Sequence, residues 1–545
     1  MFLNSMALFD QMGPLINYGQ QLADEAVNFI YELEPMAAKT VIFKSQYLDE
    51  KVDELSAAVS FDAAMIKYVL CMFLAYPIAL IVSRIPSASI KHAAFGTVGV
   101  IMMQWTFGSQ WIHSFLSSAI TYLLVALWPH RKSMPIVAFT FVLTYMSAAH
   151  LYRMYTDYMG WSLDFTGPQM VLTMKLSSFG FNLFDGKQGL AEEEEIAKTN
   201  AAKLKALQSD PGANPKKVES LARKIKYHNK VLATRKNFAI NSLPSPLQYF
   251  GYTYNFTNIL AGPAFEYADY ANPVEGKAAG SAQGVTNGRR APGSLLPGLG
   301  RLAISIACLA IHVVGSSQMP ISYLDNAEWK SSQPYWQFLL GSWFILLMVR
   351  FKYYFAWKLA EGSSIFAGFG FQGFDKEGKV IGWSGASNMD ILGFELGGNV
   401  SENSRAWNQR TQGWLERYVY ARTNSSLTAT YAVSAFWHGF YPGYYLFFLS
   451  VPLATNASRA MKKAIRPWFQ TAQGQDGAGI AFYNVLAKLT TTTHINYLVC
   501  AFQLLSWEAS IRCWGNYYFF GHALMFSALA ISNVVPKRKF KTKQL

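Results

Sequence analysis

Apolar residues in this chain are grouped into long runs that are separated by short polar segments. A helix that crosses a bilayer needs about 20 mainly apolar residues. Weaker runs occupy residues 169–181 and 249–260, and with the stronger runs they predict an all-α, polytopic membrane protein with about 9–11 membrane helices. The stronger runs lie at residues 64–82, 94–106, 112–128, 134–149, 302–314, 336–348, 428–453, 497–511 and 517–535.

The composition agrees with this class. Hydrophobic residues make up 51% of the 545 positions and charged residues only 15%, whereas soluble proteins contain about 25% charged residues. Residues 1–60 mix acidic and apolar side chains and lack the basic region and apolar core of a signal peptide. We therefore expect an N-terminal amphipathic segment at 1–60 rather than a cleaved leader.

Basic residues are distributed unevenly along the chain. The net charge is +14, and residues 187–236 contain twelve Lys or Arg against six Asp or Glu. Lys and Arg collect on the cytosolic side of membrane proteins. We therefore expect a basic cytosolic insertion at 185–245 and a basic cytosolic tail at 536–545. Topology accounts for the charge, so we predict no nucleic-acid partner.

Within the insertion, apolar residues recur at spacings of three and four, which predicts a helix with one apolar face. Such a helix can lie on an anionic membrane surface or serve as a solvated linker, and both interpretations stay open. Residues 272–300 are rich in Gly, Ala and Ser and predict a flexible loop. The whole chain, 1–545, is predicted to form a single domain. The apolar face consists of Val218, Leu221, Ile225, His228 and Leu232.

A histidine interrupts the apolar run at 428–453. Next to His438, Gly439 and Gly443 allow a close backbone approach, and Pro442 breaks or kinks the helix. Imidazole titrates near neutral pH and therefore suits general-base catalysis. A structural histidine that bonds across helices is the alternative. Other histidines also lie in or beside apolar runs, namely His113, His150, His312 and His522.

Segment 402–417 combines aromatic, amide and basic side chains. If it is helical, Asn408 and Thr411 share one face, and the nearby arginines suit the phosphates of a nucleotide-bearing substrate. An interfacial helix with snorkelling arginines is the alternative. A third segment, 350–362, ends an apolar run and contains a single acid, Glu361.

Several well-known catalytic signatures are missing from the sequence. It contains no G-x-S-x-G elbow, no G-x-x-x-x-G-K-[ST] loop and no H-x-x-x-H metal pair. The four cysteines have the spacing of neither a zinc site nor a disulfide framework. We therefore predict no metal and no bound cofactor. The cysteines are Cys71, Cys308, Cys500 and Cys513.

Three blocks in this order resemble the membrane-bound O-acyltransferase family. They are R-x-K-Y-Y at 350–354, W-N-x-x-T-x-x-W-L at 407–415 and W-H-G-x-x-P-G-Y at 437–444. The resemblance is strongest to the lysophospholipid acyltransferase branch of the fungal broad-specificity type. It extends over residues 61–535 and includes segments near 164–176 and 251–263.

In this family, a membrane-embedded His and an Asn some thirty residues before it form the active centre. Asn408 precedes His438 by 30 residues, so the resemblance implies that both are catalytic residues of a buried acyl-transfer centre. It also implies acyl-CoA as co-substrate and a lysophospholipid as acceptor, acylated on its free sn-2 hydroxyl. The substrate-binding residues expected from the blocks are Arg350, Lys352, Tyr353, Tyr354, Glu361, Trp407, Thr411, Trp414, Trp437 and Tyr444.

The expected reaction needs no covalent enzyme intermediate, because the thioester of acyl-CoA is already activated. His438 would take the proton of the acceptor hydroxyl, and Asn408 would stabilise the developing oxyanion or orient His438. We expect CoA to enter from the cytosol and the lysolipid to enter from the bilayer, so that both substrates are bound together before transfer.

Other acceptors remain open, namely diacylglycerol, a sterol or a protein serine. A transporter is a different class, but the sequence shows no repeated pair of interrupted helices. Lys541 and Lys543 resemble a K-x-K-x-x retrieval signal. We therefore expect a multi-pass protein of the endoplasmic reticulum membrane with a cytosolic C-terminus. The sequence leaves a homo-oligomer open.

Overall fold

The computed structural model describes residues 21, 24, 25, 27–59, 61–160, 162–210, 212–278, 291, 293–423, 425–471, 474–536 and 538. Over these residues the chain is helical and forms no β-strand. Two isolated antiparallel bridges join Phe374 to Val380 and Gln470 to Asp476. The predicted all-α class is confirmed.

The chain divides into two compact units. The first contains the described residues up to Gly298, together with Gly362–Ala386. A 3-10 turn, Gly108–Gln110, joins α3 to α4, and a π-helix, Asp185–Gly189, joins α6 to α7. Besides a helix at 27–38, the first unit contains α1 (Gln46–Val59), α2 (Ala63–Ser83), α3 (Ala88–Phe107), α4 (Trp111–Leu127), α5 (Met134–Thr156), α6 (Thr166–Phe184), α7 (Leu190–Ser209), α8 (Pro215–Phe238), α9 (Pro246–Thr253) and α10 (Tyr267–Val274).

Helix α6 is buried along almost its whole length in the first unit and contains a buried lysine. Lys175 is fully buried, and its Nζ donates to the carbonyls of Tyr252 and Thr253 at 2.5 and 3.1 Å and to Asn258 Oδ1 at 3.0 Å. Tyr252 and Thr253 lie at the end of α9, where the helix dipole favours a cation. The ammonium group therefore caps α9 and fixes it against α6.

The second unit contains Leu299–Glu361 and the described residues from Ser387 onward. Its core lies where α13 meets α18–α21, around Phe338, Tyr497 and Trp514. Its helices are α11 (Leu295–Gln318, from Leu299 on), α12 (Ala327–Ser331), α13 (Tyr335–Phe366, up to Glu361), α14 (Ile391–Glu395), α15 (Val400–Ala406), α16 (Gln409–Tyr418), α17 (Leu427–His438), α18 (Pro442–Ile465), α19 (Ile480–Leu504), α20 (Trp507–Asn516) and α21 (Phe520–Val534).

Among the described residues, five helical stretches are long and apolar enough to cross a membrane. Helix α21 is apolar but shorter. The polytopic class is confirmed, while the predicted total of about 9–11 membrane helices stays a prediction. The five stretches are Ala63–Ser83, Ala88–Leu127, Met134–Thr156, Leu295–Gln318 and Tyr335–Phe366.

Two apolar runs in the second unit contain breaks. The run at 428–453 ends one helix at His438 and starts the next at Pro442, which confirms the predicted break at this proline. The run at 497–511 is interrupted between α19 and α20, where Leu505 adopts a φ of 64°. Neither run is a single continuous helix.

The basic insertion is a pair of helices. The apolar face predicted on α8 exists, and α8 packs against α7. Arg235 forms ion pairs with Asp185 at 2.6 Å and Glu193 at 2.7 Å, and Lys236 pairs with Glu194 at 2.6 Å. Acids near and on α7 therefore neutralise part of the basic excess.

Helices extend into both ends of the stretch 272–300, which the sequence predicts to be a loop. Helix α10 continues to Val274 and α11 begins at Leu295, because both ends of the stretch contain apolar residues that extend the neighbouring helices. Residues 279–290 and 292 lie outside the described residues, as do most of 1–26 and the tail lysines Lys541 and Lys543.

Candidate active site

His438 is the last residue of α17, in the second unit. Its Nδ1 lies 2.7 Å from the carbonyl oxygen of Ser434, one turn earlier in the same helix. Gly439 ends the helix with a φ of 116° and a ψ of −162°, a conformation that is essentially restricted to glycine. The imidazole is therefore held at a helix end and oriented from within its own helix.

Aromatic rings surround the imidazole of His438. The ring centroids of Trp437, Tyr444, Phe448 and Phe502 lie 4.6, 5.7, 4.7 and 5.2 Å away. The side chain is half-buried. The surroundings exclude water from most of the ring, which strengthens any hydrogen bond the imidazole makes.

Gly443 explains why Phe502 lies so close to His438. Its backbone amide donates to the carbonyl of Leu505 at 2.6 Å. A Cβ at this position would lie 2.1 Å from the carbonyl oxygen of Ala501, so only glycine permits this approach between α18 and the end of α19. The predicted close backbone approach is confirmed at Gly443.

Asn408 precedes α16 and has an unusual backbone. Its φ is 43° and its ψ 55°, in the left-handed region, which asparagine tolerates better than most residues. Its side chain makes no capping bond. The first helical residue is Gln409, so Thr411 lies in the first turn of α16 and Asn408 lies outside the helix. The predicted helix face shared by Asn408 and Thr411 is therefore not formed.

Trp407 is enclosed by aromatic rings from two other segments. Its ring centroid lies 5.7 Å from Tyr353, 6.1 Å from Tyr354, 5.1 Å from Trp357 and 5.0 Å from Phe394. The first three residues belong to α13. The block at 350–354 and the block at 407–415 are therefore in direct contact.

The block at 437–444 joins this group through α16. The rings of Trp414 and Trp437 are 6.2 Å apart, which connects α16 with α17. Thr411 is buried beside them. Lys352 lies over the ring of Tyr353, with 5.5 Å from Nζ to the centroid. All three blocks thus assemble within the second unit.

Arg350 is buried in a network of hydrogen bonds. Its Nε and Nη2 donate to the two carboxylate oxygens of Glu395 at 2.7 and 3.0 Å, and its Nη1 donates to Asn496 Oδ1 at 2.7 Å. Tyr354 also donates to Glu395, at 2.6 Å. Bidentate pairing of this kind fixes both partners strongly.

Glu361 is completely buried at the end of the α13 segment of this unit. Its Oε2 accepts from Lys358 Nζ at 2.6 Å and lies 3.3 Å from Arg301 Nε. Its Oε1 accepts from the backbone amides of Asn388 and Met389 at 2.7 and 3.1 Å. Two cations and two amides thus surround this carboxylate.

A cavity of about 240 Å³ lies elsewhere in the second unit, among α18, α19 and α21. Mainly apolar residues line it, together with the buried His494. None of the predicted site residues is among the lining residues. In the part of the chain that the structure describes, no cluster of three or more His, Cys, Asp or Glu forms a metal site.

Sequence reasoning missed the partners of the predicted residues. Five residues contact them directly, namely Ser434, Glu395, Asn496, Lys358 and Asn388. Two of them carry a local signal. The carbonyl of Ser434 lies one helical turn before His438, and Lys358 lies three residues before Glu361 on α13. The other three are brought in by tertiary structure.

Comparison with known proteins places these blocks in a family. The profile described as MBOAT, membrane-bound O-acyltransferase family, matches residues 150–500. "Membrane-bound glycerophospholipid O-acyltransferase 2" of Rattus norvegicus is 30% identical over 503 residues, covering 90% of this chain and 88% of that protein. "Lysophospholipid acyltransferase" of Schizosaccharomyces pombe is 28% identical over 515 residues, covering 91% of both chains.

A second fungal protein is similar over the same extent. "Lysophospholipid acyltransferase" of Saccharomyces cerevisiae is 26% identical over 530 residues, covering 91% of this chain and 79% of that protein. The family match includes all three sequence blocks and the helices that assemble them. This chain therefore belongs to the membrane-bound O-acyltransferase family.

Proposed function

We propose that this chain transfers a fatty acyl group from acyl-CoA to the free sn-2 hydroxyl of a lysophospholipid, as a step in phospholipid remodelling. Fungal relatives that align with about nine tenths of the chain are named lysophospholipid acyltransferases. The proposal rests on one geometric observation: the backbone carbonyl of Ser434 binds Nδ1 of His438 and thereby orients the imidazole.

The bond to Ser434 assigns the protonation of the His438 ring. A carbonyl oxygen only accepts, so Nδ1 carries the hydrogen and Nε2 is the basic nitrogen of the neutral ring. In the proposed reaction, Nε2 takes the proton of the lysophospholipid hydroxyl as its oxygen attacks the thioester carbon. General-base catalysis of this kind contributes about 10²–10⁴ in rate.

Asn408 is proposed to stabilise the negative charge that forms on the thioester oxygen. Its side chain makes no capping bond to α16, and the proposal assigns its N–H groups to the substrate. The carbon–sulfur bond then breaks, CoA leaves as the thiol after taking up the proton, and the acyl ester remains on the lipid. One such donor is worth about 10²–10³ in turnover.

The other predicted binding residues are proposed to fall into two groups. Lys352, Tyr353, Trp407, Thr411, Trp414, Trp437 and Tyr444 form the walls around the two catalytic residues. Arg350, Tyr354 and Glu361 direct their polar atoms to protein groups, so we assign them the support of the site backbone. No step requires a metal or a bound cofactor.

The test is acyl transfer by the purified full-length chain in lipid nanodiscs. Acyl-CoA would be supplied with a panel of lysophospholipids and, separately, with diacylglycerol, a sterol and a serine peptide. We expect thiol release and diacyl lipid in equal amounts with lysophospholipid only. Equal or faster transfer to another acceptor would reassign the substrate, and no thiol release with any acceptor would reject the acyl-CoA donor.

The proposed subcellular location is the endoplasmic reticulum membrane, with the C-terminus in the cytosol. The support is the basic run Lys537, Arg538 and Lys539, together with the nearby Lys541 and Lys543. Changing Lys541 and Lys543 to Ser retains Lys537, Arg538 and Lys539 for topology. We expect part of this variant to reach the Golgi, and complete retention would show that the tail is not the retrieval signal.

A further inference from the structure

The backbone of Asn408 requires support from its surroundings. Asparagine adopts the left-handed conformation at a lower cost than most residues other than glycine, but the conformation persists only where neighbouring contacts impose it. Asn408 is half-buried and has no capping bond of its own side chain. The conformation that aims its amide is therefore determined by contacts made by the residues around it.

Those contacts come from a segment some twenty residues earlier. The backbone amide of Gln409 donates to the carbonyl of Asn388 at 2.7 Å, and the amide of Arg410 donates to Asn388 Oδ1 at 3.1 Å. On the other side of Asn408, the carbonyl of Ala406 accepts from the amide of Asp390 at 3.0 Å. Residues 388–390 therefore hold the chain on both sides of Asn408.

Segment 388–390 is itself held by the buried ion pair on α13. Glu361 accepts from the amides of Asn388 and Met389, and Lys358 donates to the carbonyl of Met389. Glu361 is 0% exposed and Asn388 3% exposed. Water is excluded from these bonds, and each is consequently costly to break. Hydrogen bonds therefore connect α13, through residues 388–390, to the residues on either side of Asn408.

Resting on the proposed catalytic role of Asn408, we propose that Asn388 is a positioning residue for acyl transfer. Its side-chain oxygen and its carbonyl fix Gln409 and Arg410, so that the Asn408 amide points at the thioester oxygen. Asn388 touches no reacting atom and acts through Asn408. Glu361 and Lys358 anchor Asn388 to the helix that carries the R-x-K-Y-Y block.

The experiment compares turnover in variants of the full-length enzyme. Asn388→Ala removes the acceptor for the Arg410 amide, while Asn388→Asp retains an oxygen in its place. Asn403→Ala is the matched control, because Asn403 is equally buried in the same unit but donates to the carbonyl of Phe394. Turnover, both Michaelis constants and thermal unfolding are measured for each.

We expect Asn388→Ala to lower kcat by about 10- to 100-fold, as misplacement of a catalytic group by about 1 Å does. The Michaelis constants should stay within about twofold, since binding is unchanged. Asn388→Asp should recover most of the turnover. Asn403→Ala should lose comparable stability but retain its kcat. Equal kcat in Asn388→Ala and Asn403→Ala would overturn the proposal.

A double variant separates positioning from general damage. If Asn388 acts through Asn408, Asn388→Ala should change kcat by less than about twofold when Asn408 is already Ala, because the two effects share one cause. Additive losses would overturn the proposal. Native turnover of Asn408→Ala would overturn both the catalytic role of Asn408 and the positioning role, even if acyl transfer to lysophospholipid itself is confirmed.

Discussion

The two residues proposed to carry the chemistry are held in opposite ways. His438 is oriented by Ser434, four residues before it in the same helix, and by the glycine that follows. Asn408 is held by residues 388–390, which are anchored on Glu361 in a different helix. The position of His438 thus depends on local structure, and the position of Asn408 depends on a chain of long-range contacts.

Because their supports differ, the two positions are sensitive to substitutions in different parts of the sequence. Changes close to His438 in sequence should disturb it, whereas Asn408 should be disturbed by changes far away in sequence. The family motif at 437–444 contains the glycine that follows His438, and Ser434 lies only three residues before the motif. The motif at 407–415 contains the asparagine but little of what holds it. The following substitutions test this contrast.

The largest effect should come from removing the locally held base. His438→Ala should lower kcat by about 10²–10⁴, the usual contribution of general-base catalysis. His312→Ala is the control, because His312 also bonds a backbone carbonyl, that of Met348, through Nδ1 at 2.9 Å. It should retain near-native turnover. Native turnover of His438→Ala would exclude it as the base.

Removing the distantly held amide should have the next largest effect. Asn408→Ala and Asn408→Gly should each lower kcat by about 10²–10³, because both lose the donor. They should differ in stability, since glycine adopts the left-handed conformation without strain and alanine does not. Thermal unfolding measures that difference. An active Asn408→Gly would assign Asn408 a purely conformational role.

A change beside His438 tests how local its support is. Gly439→Ala forces a side chain into a backbone region that is nearly restricted to glycine, at about 1–3 kcal/mol, and should displace the imidazole. We expect a roughly tenfold loss of kcat, measured at equal folded protein. Gly300→Ala is the control, because a Cβ there meets nothing within 4 Å. Equal turnover of the two variants would contradict local control.

Arg350 tests whether the block at 350–354 binds substrate or supports the site. Arg350→Lys cannot reproduce the paired bonds to Glu395 or the bond to Asn496. Thermal stability should fall, and the Michaelis constant for acyl-CoA should stay within about twofold. A tenfold rise in that constant, with stability retained, would instead assign the guanidinium to a substrate phosphate.

The smallest effect should come from the cysteines. All four thiols are free and buried in the described structure, and the proposed reaction attacks the thioester directly. Replacing Cys71, Cys308, Cys500 and Cys513 together with Ala should therefore leave transfer measurable, although packing will suffer. Recovery of an acyl-cysteine from the native enzyme after brief exposure to labelled acyl-CoA would contradict direct attack.

The sequence alone determined the helical membrane class, the break at Pro442, the helix in the basic insertion and the three blocks. These follow from periodicity, from the missing amide of proline and from residue types at fixed short spacings. All of these features depend on residues that are close to one another in the chain, and the sequence shows those residues directly. The same reasoning applies to His438, whose partner Ser434 lies one helical turn away.

The surroundings of those blocks depend on tertiary contacts. Pairing of Arg350 with Glu395 and Asn496, and of Glu361 with the amides at 388 and 389, joins residues that are up to 146 positions apart. Residue type does not reveal such partners, because the sequence shows an arginine in the same way whether it is buried in the protein or binds substrate. Burial distinguishes the two roles, because a charged group that is removed from water needs a partner inside the protein. The fold determines which residue lies close enough to be that partner.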